Sequence, residues 1–333
     1  MATLAGDVGK SLTWKQLPSL PDAEGFAGSF AGAHHGALIV AGGSNFPEKR
    51  PWEGGTKVWY DKVFVLEKPD GAWKEGFKLS QPIGYGVSIN TKDGLLCIGG
   101  SSAKAHHAEV TLVSYEPGKV KCKTFPKLPS PCANMCGAML GNVILVAGGS
   151  DNPDATNAMK TLWSLDLIRV NAGWKELEPC PGSGRIFGAA GIDHGSFILA
   201  GGAALTAGTN GKPAREWLRD VWRYTPGKGW ERLADLPRPA VAAPSPMPNL
   251  GGCLLLGGDD GAQISVGPTE HKGFPRGILR YESAGNRWVE FGTMPFALVT
   301  TTMTVWNGAF IVAGGEQKPG VRSPEVWAGH PMP

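Results

Sequence analysis

The run Ala37-Leu-Ile-Val-Ala-Gly-Gly43 is a strand-sized apolar stretch closed by two glycines, and close versions of it return five more times. They read GLLCIGG ending at Gly100, VILVAGG at Gly149, SFILAGG at Gly202, CLLLGG at Gly258 and AFIVAGG at Gly315. The first glycine of each pair falls at 42, 99, 148, 201, 257 and 314, so the spacings are 57, 49, 53, 56 and 57. A fixed period of this size marks a repeat architecture. A diglycine ends a strand where backbone takes positive φ or must approach another chain segment closely. Each pair is followed by a second strand-like run: VWYDKVFVLE, VTLVSYEP, KTLWSLDL, DVWRYTP, GILRYES and EVW. A Trp-led segment ending in proline then follows at Trp73, Trp174, Trp230 and Trp288, while the second repeat places Phe125 near that position. Each unit thus reads as four short strands, with large flat side chains to fill the space between neighbouring sheets. Six such sheets make an all-β, six-bladed β-propeller. A pair of stacked sheets with chance diglycines is the rival reading.

The ends agree with a ring. After Gly314 only 19 residues remain, and Gly42 lies 42 residues from the start; together these make about one repeat. The sixth unit stops after its third strand at Trp327, and the missing Trp-led strand stands at the N-terminus around Trp14. The N-terminal strand is therefore expected to close the last blade, which removes an exposed sheet edge. The expected organisation is a single domain over residues 1–333, with blades near 24–80, 81–130, 131–181, 182–238, 239–294 and 295–333 plus 11–20.

Composition points the same way. The 333 residues include 49 Gly and 27 Pro, which argues against long helices because both destabilise helix interiors. Charged residues are 18% against 42% apolar, which argues against disorder. The net charge is only +3 without a basic run, so nucleic acid is not an expected partner. No apolar stretch reaches the roughly 20 residues of a membrane helix, and no membrane partner is expected. The start MATLAGDVGKSLTW lacks a basic segment followed by an apolar one. A cytoplasmic location is expected on that ground; a removed leader would make it periplasmic. Six cysteines are spread thinly, and Cys132 and Cys136 form a CxxxC without a second pair, a weak zinc signal. The adjacent pairs His34–His35 and His106–His107 would diverge across a strand, so no metal is expected. Tyr, Cys and His do not assemble a copper-radical set, and GxSxG is absent.

In a four-stranded meander the second-to-third and fourth-to-first connections share one face, so residues just after each diglycine surround the channel mouth. The connections after Gly43, Gly202 and Gly258 are much longer than a hairpin needs, and long loops on a rigid scaffold carry function. They concentrate charge: Glu48, Lys49, Arg50, Glu53 and Lys57; Lys212, Arg215, Glu216 and Arg219; Glu270, Lys272 and Arg276; Glu316, Lys318 and Arg322. Arg185, in GSGRIFG, is expected on the same face. Several Arg and Lys with a few Glu suit an anionic polar small molecule, because the guanidinium fork holds a carboxylate bidentately.

The diglycine with spaced Tyr and Trp resembles the kelch repeat over nearly the whole chain. Two stretches are similar to a narrower family. EQKPGVRSPEVW (Glu316–Trp327) and the pairing of PWEGGTKVWYDKVFVLE with GYGVSINTKDGLLCIGG resemble the bacterial N-acetylneuraminate epimerases, or sialic acid mutarotases. The resemblance implies a six-bladed kelch propeller that speeds exchange between the α and β anomers of free sialic acid, without a cofactor. The order of blades looks rotated, as in a circularly permuted branch. The proton-accepting Glu of the family's H-E-G-x-x-K context falls on Glu53 in WEGGTK, with Lys57 on the lysine and Trp52 in place of the histidine. The E-x-KPG-x-R loop falls on Glu316, Lys318 and Arg322.

That implies an isomerase in which Glu53 takes the anomeric hydroxyl proton while an acid protonates the ring oxygen. Arg322, helped by Arg185 or Arg215, would hold the carboxylate, and Glu216 is a further expected substrate-binding residue. The alternatives are a non-catalytic kelch binding module, and an enzyme acting on another acidic sugar or a sialoside. Oligomeric state stays open.

Overall fold

A computed structural model describes residues 12–208 and 213–332, which leaves Lys212 outside the described residues. Blade 1 runs Phe30–His34, Ala37–Ala41, Lys62–Leu66 and Lys74–Lys78 from the inside outward. Blades 2 and 3 repeat the meander, from Val87–Thr91 to Lys119–Phe125 and from Cys136–Leu140 to Lys175–Leu177. Blade 4 spans Ala189–Asp193 to Gly229–Leu233. Blade 6 is composite: Met303–Trp306, Ala309–Ala313 and Val326–Pro331 are completed by Leu12–Leu17. The closing pair is antiparallel, from Leu12 opposite Pro331 to Leu17 opposite Val326.

Blade 5 departs from the four-strand expectation. Its sheet has three strands, Leu254–Leu256, Gly277–Glu282 and Arg287–Thr293. Pro244, Pro246 and Pro248 occupy the inner segment, and each removes a backbone donor. The remaining groups pair sideways instead. The Met247 amide donates to Ala190 O at 2.6 Å, and Ser245 O accepts the Met303 amide at 3.0 Å. The segment is thereby wedged between blades 4 and 6.

Two repeated devices join the sheets. The first is the diglycine. All six leading glycines lie in the left-handed region, from φ 57° at Gly99 to 69° at Gly148. In five blades the second glycine donates its amide into a neighbour: Gly43 to Ile83 O, Gly100 to Cys132 O, Gly149 to Arg185 O, Gly202 to Ala240 O and Gly315 to Phe26 O, each at 2.7–2.8 Å. A Cβ on Gly42 would stand 2.2 Å from Ile83 O, so no other residue fits there. The second device is the outer tryptophan. Trp73, Trp174, Trp230 and Trp288 donate their indole N–H to Pro18, Pro126, Glu178 and Ala234 of the preceding blade, at 2.8–3.1 Å. These rings bury apolar area and rivet adjacent sheets at the rim. Between blades lie fully buried side chains such as Phe30, Leu38, Leu95, Phe197 and Tyr281.

Candidate active site

The channel narrows at a ring made by one residue from each blade. Gly28, Tyr85, Asn134, Phe187, Ala242 and Thr300 all have positive φ, between 54° and 68°. Each donates its amide to the carbonyl of the equivalent residue one blade back: Tyr85 to Gly28, Asn134 to Tyr85, Phe187 to Asn134, Ala242 to Phe187, Thr300 to Ala242 and Gly28 to Thr300, at 2.7–2.9 Å. The circuit is closed. Left-handed backbone costs an L-residue roughly 1–2 kcal/mol, so a ring of five such residues has to be stabilised by the bonds around it. The turn aims the five side chains into the channel, where all six residues line the neck. The neck encloses about 60 Å³. That admits a few waters, well short of the roughly 300 Å³ or more of small-molecule sites, so a ligand of that size would sit above it.

Above the neck stands a second tier, formed by the residue after each diglycine. Ser44, Ser101, Ser150, Ala203, Asp259 and Glu316 form isolated bridges with Ala27, Gly84, Ala133, Ile186, Val241 and Val299 of their own blades' entry segments. These bridges place second-to-third and fourth-to-first connections together on one face. Ser44 Oγ is 2.7 Å from the Tyr85 hydroxyl, Ser150 Oγ is 3.2 Å from His106 Nε2, and Asp259 Oδ2 accepts the Trp217 indole at 3.3 Å. Thr300 donates its hydroxyl to Glu316 Oε2 at 3.4 Å. His106 is buried, and burial outweighs its bond to Ala105, lowering its pKa below the ordinary imidazole value. Cys136 lines the neck, but burial pushes its thiol up to about 12, so it is no nucleophile at neutral pH.

Blades 1 and 6 bring the two distinctive loops together. Pro51–Glu53 form one 3-10 turn closed by Gly54 in the left-handed region. Glu316–Lys318 and Val321–Arg322 form a small hairpin beside it. They touch: a Cβ on Gly320 would lie 2.8 Å from Pro51 Cγ and 3.2 Å from the Trp52 ring. Arg322 is only 6% exposed, and its guanidinium carbon lies 5.0 Å from the Phe46 ring centre. Its Nη1 forms a close buried ion pair with Glu316 Oε1 at 2.5 Å, while Nε is buried with no hydrogen-bond partner among the described residues. Glu316 Oε1 also accepts the Gly320 amide at 2.5 Å. The unmet Nε, on a cation already paired with one carboxylate, favours a further acceptor.

The other expected residues divide. Glu53 is exposed, and its Oε2 accepts the Arg50 amide at 3.0 Å. Lys57 is drawn inward: its Nζ sits 5.0 Å from the Trp59 ring and 4.9 Å from the Tyr85 ring, with no acidic partner among the described residues. Lys318 is half-buried in the hairpin. Arg215 and Glu216 are exposed on a two-stranded hairpin, Ala203–Ala207 with Pro213–Trp217, that projects from blade 4. Their register puts Arg215 opposite Leu205, which packs with Phe187 and Trp217, so Arg215 shares the inner face of that hairpin. Arg185 is a correction. It is 2% exposed, its Nη1 and Nη2 meet Asp220 at 3.0 and 2.7 Å, and Nη1 also donates to Gly201 O at 2.9 Å. Its fork is spoken for within the wall between blades 3 and 4, so it is no ligand-holding group. Arg219 is likewise bonded to Leu236 O. Among the described residues no three His, Cys, Asp or Glu gather as metal ligands.

Tyr85, Ser44 and Trp59 escape the sequence reading, which treats His106 only as half of a diverging pair. The GYG at 84–86 was the available signal, since a tyrosine between two glycines suggests an unusual backbone.

Residues 2–122 match the family model described as N-acetylneuraminate epimerase. A protein of that name from Salmonella enteritidis is 42% identical over 108 residues, which cover 28% of this chain and 28% of that protein. Another from Yersinia enterocolitica is 35% identical over 128 residues, covering 34% and 32%. The chain thus spans about a third or less of the curated relatives it matches. The matched part holds Glu53, Lys57, Phe46 and Tyr85, whereas Arg322 and Glu316 lie outside it.

Proposed function

We propose that this chain is an isomerase that speeds interconversion of the α and β anomers of free N-acetylneuraminate at the channel mouth, without a cofactor. The observation that carries the reading is Arg322, a buried guanidinium that is paired with Glu316 and keeps its Nε unmet, on the hairpin that packs against the Glu53 turn. The similarity of residues 2–122 to proteins named for this activity supports it. We take the rotated blade order as part of the same proposal.

The substrate is a 2-keto acid closed as a hemiketal, so changing anomer requires opening the ring and reclosing on the other carbonyl face. Glu53 accepts the anomeric hydroxyl proton while the ring C–O bond breaks and the ring oxygen is protonated. After rotation, the same groups return their protons as the ring closes. Arg322 holds the carboxylate throughout, so the open chain stays bound; Lys57 and Lys318 add positive charge at the rim. A binding module would show an apolar rim in place of these acidic and basic side chains.

The test is NMR of freshly released α-anomer with and without protein. Acceleration is expected, with Glu53→Gln lowering kcat by about 10²–10⁴-fold and leaving KM nearly unchanged. Anomer exchange no faster with protein than without overturns the reading.

A further inference from the structure

Resting on that reading, we infer that the Tyr85 hydroxyl is the acid that protonates the ring oxygen as Glu53 deprotonates the anomeric hydroxyl.

Tyr85 is the one neck residue among the six with an ionisable side chain, and its half-exposed ring lines the wall just below the mouth. It is held on every side. Its amide is bonded to Gly28 O at 2.7 Å, and its carbonyl accepts the Asn134 amide at 2.8 Å. A Cβ on Gly28 would lie 2.8–3.0 Å from the ring, so that glycine is what lets the phenol lie flat against the neck. Lys57 Nζ stands 4.9 Å from the ring centre on the loop that carries Glu53 four residues earlier. The hydroxyl itself is fixed 2.7 Å from Ser44 Oγ, which is fully buried. When Ser44 donates, the phenol proton is left to point at a ligand. Charge developing on the phenol oxygen then meets that hydroxyl, already in place, with the Lys57 ammonium over the ring.

The protons balance. Glu53 gains the anomeric hydroxyl proton, the C–O electron pair passes to the ring oxygen, and that oxygen takes the Tyr85 proton. Reclosure returns one proton to the phenolate and one to the new anomeric oxygen. Nothing is consumed.

The test is Tyr85→Phe in the full chain, with α-N-acetylneuraminate as the probe. The variant is expected to lose about 100-fold in kcat with KM within about threefold, at an unchanged thermal midpoint. Ser44→Ala, which keeps the phenol and removes its anchor, should lose about tenfold in kcat. A Tyr85→Phe protein within about threefold of wild-type kcat, or one whose loss lies wholly in KM, overturns the inference while leaving the mutarotase reading standing. A wild-type protein without anomerase activity overturns both.

Discussion

Replacing Asp220 by Ala tests the assignment of Arg185 most sharply. The substitution removes both partners of the Arg185 fork and leaves a 2%-exposed guanidinium with Gly201 O as its one remaining partner. It also strips the Trp222 indole of its acceptor at 2.5 Å. Breaking a buried pair by removing one member costs about 3–5 kcal/mol, because the survivor keeps its desolvation penalty. Unfolding entropy near 2.1 cal/mol/K per residue gives about 0.7 kcal/mol/K for 333 residues. The melting temperature should therefore fall by about 4–7 °C at pH 7, read by circular dichroism. The effect has a pH signature. Burial raises the Asp220 pKa, but the hydrogen bond and charge of Arg185 outweigh it, so the net shift is downward. A carboxyl depressed in the folded state stabilises above its unfolded value, near 3.9, and that stability is lost as pH falls through the folded value. The gap between wild type and variant should thus be full above about pH 5 and close below about pH 4. A melting temperature within about 1 °C of wild type, combined with a raised KM, would refute this and return Arg185 to the substrate site.

Two further outcomes are expected. Arg322→Met should raise KM for the acidic sugar by about 10–150-fold, the equivalent of about 1.5–3 kcal/mol for a charged hydrogen-bonded group, with kcat within a few-fold; a weakened kcat at unchanged KM would exclude Arg322 as the carboxylate clamp. Gly320→Ala adds a methyl where φ is +78° and Pro51 Cγ would be 2.8 Å away, so it should part the two loops and lower kcat/KM at least tenfold while moving the melting temperature by less than about 2 °C, checked by initial rates and thermal scans; wild-type kinetics would show that the loop contact is incidental.

The ring was legible because its joints demand one residue type. Only glycine tolerates an approach like that of Gly42 to Ile83 O, so the diglycine returns unchanged in all six repeats while the residues before it vary. The neck ring demands a backbone shape rather than a side chain. Gly28, Tyr85, Asn134, Phe187, Ala242 and Thr300 share nothing but a positive φ, and the six positions stand at uneven distances from the prolines before them. The inner strand of blade 5 failed for a local reason visible in Pro244, Pro246 and Pro248, three alternating residues without donors. Arg185 failed for a distant one. Its partner lies 35 residues away, and no spacing rule says which charged residue of a connection turns into the wall.

The composite sixth blade also sets an order in time. Thr13 and His330 are partners across 317 residues, so the strand synthesised early must wait for its mate while the intervening blades form. Joining ends that far apart costs about 5 kcal/mol in chain entropy from the length-dependent part alone. The other sheets shorten the effective gap between the ends as they form, so much of that cost is met before the closing step is taken. Until it is taken, Val326–Pro331 presents an unpaired edge. Before this pairing forms the ring is more open to aggregation and proteolysis than after it, and anything that holds Leu12–Leu17 away from Val326–Pro331 should trap an open arc.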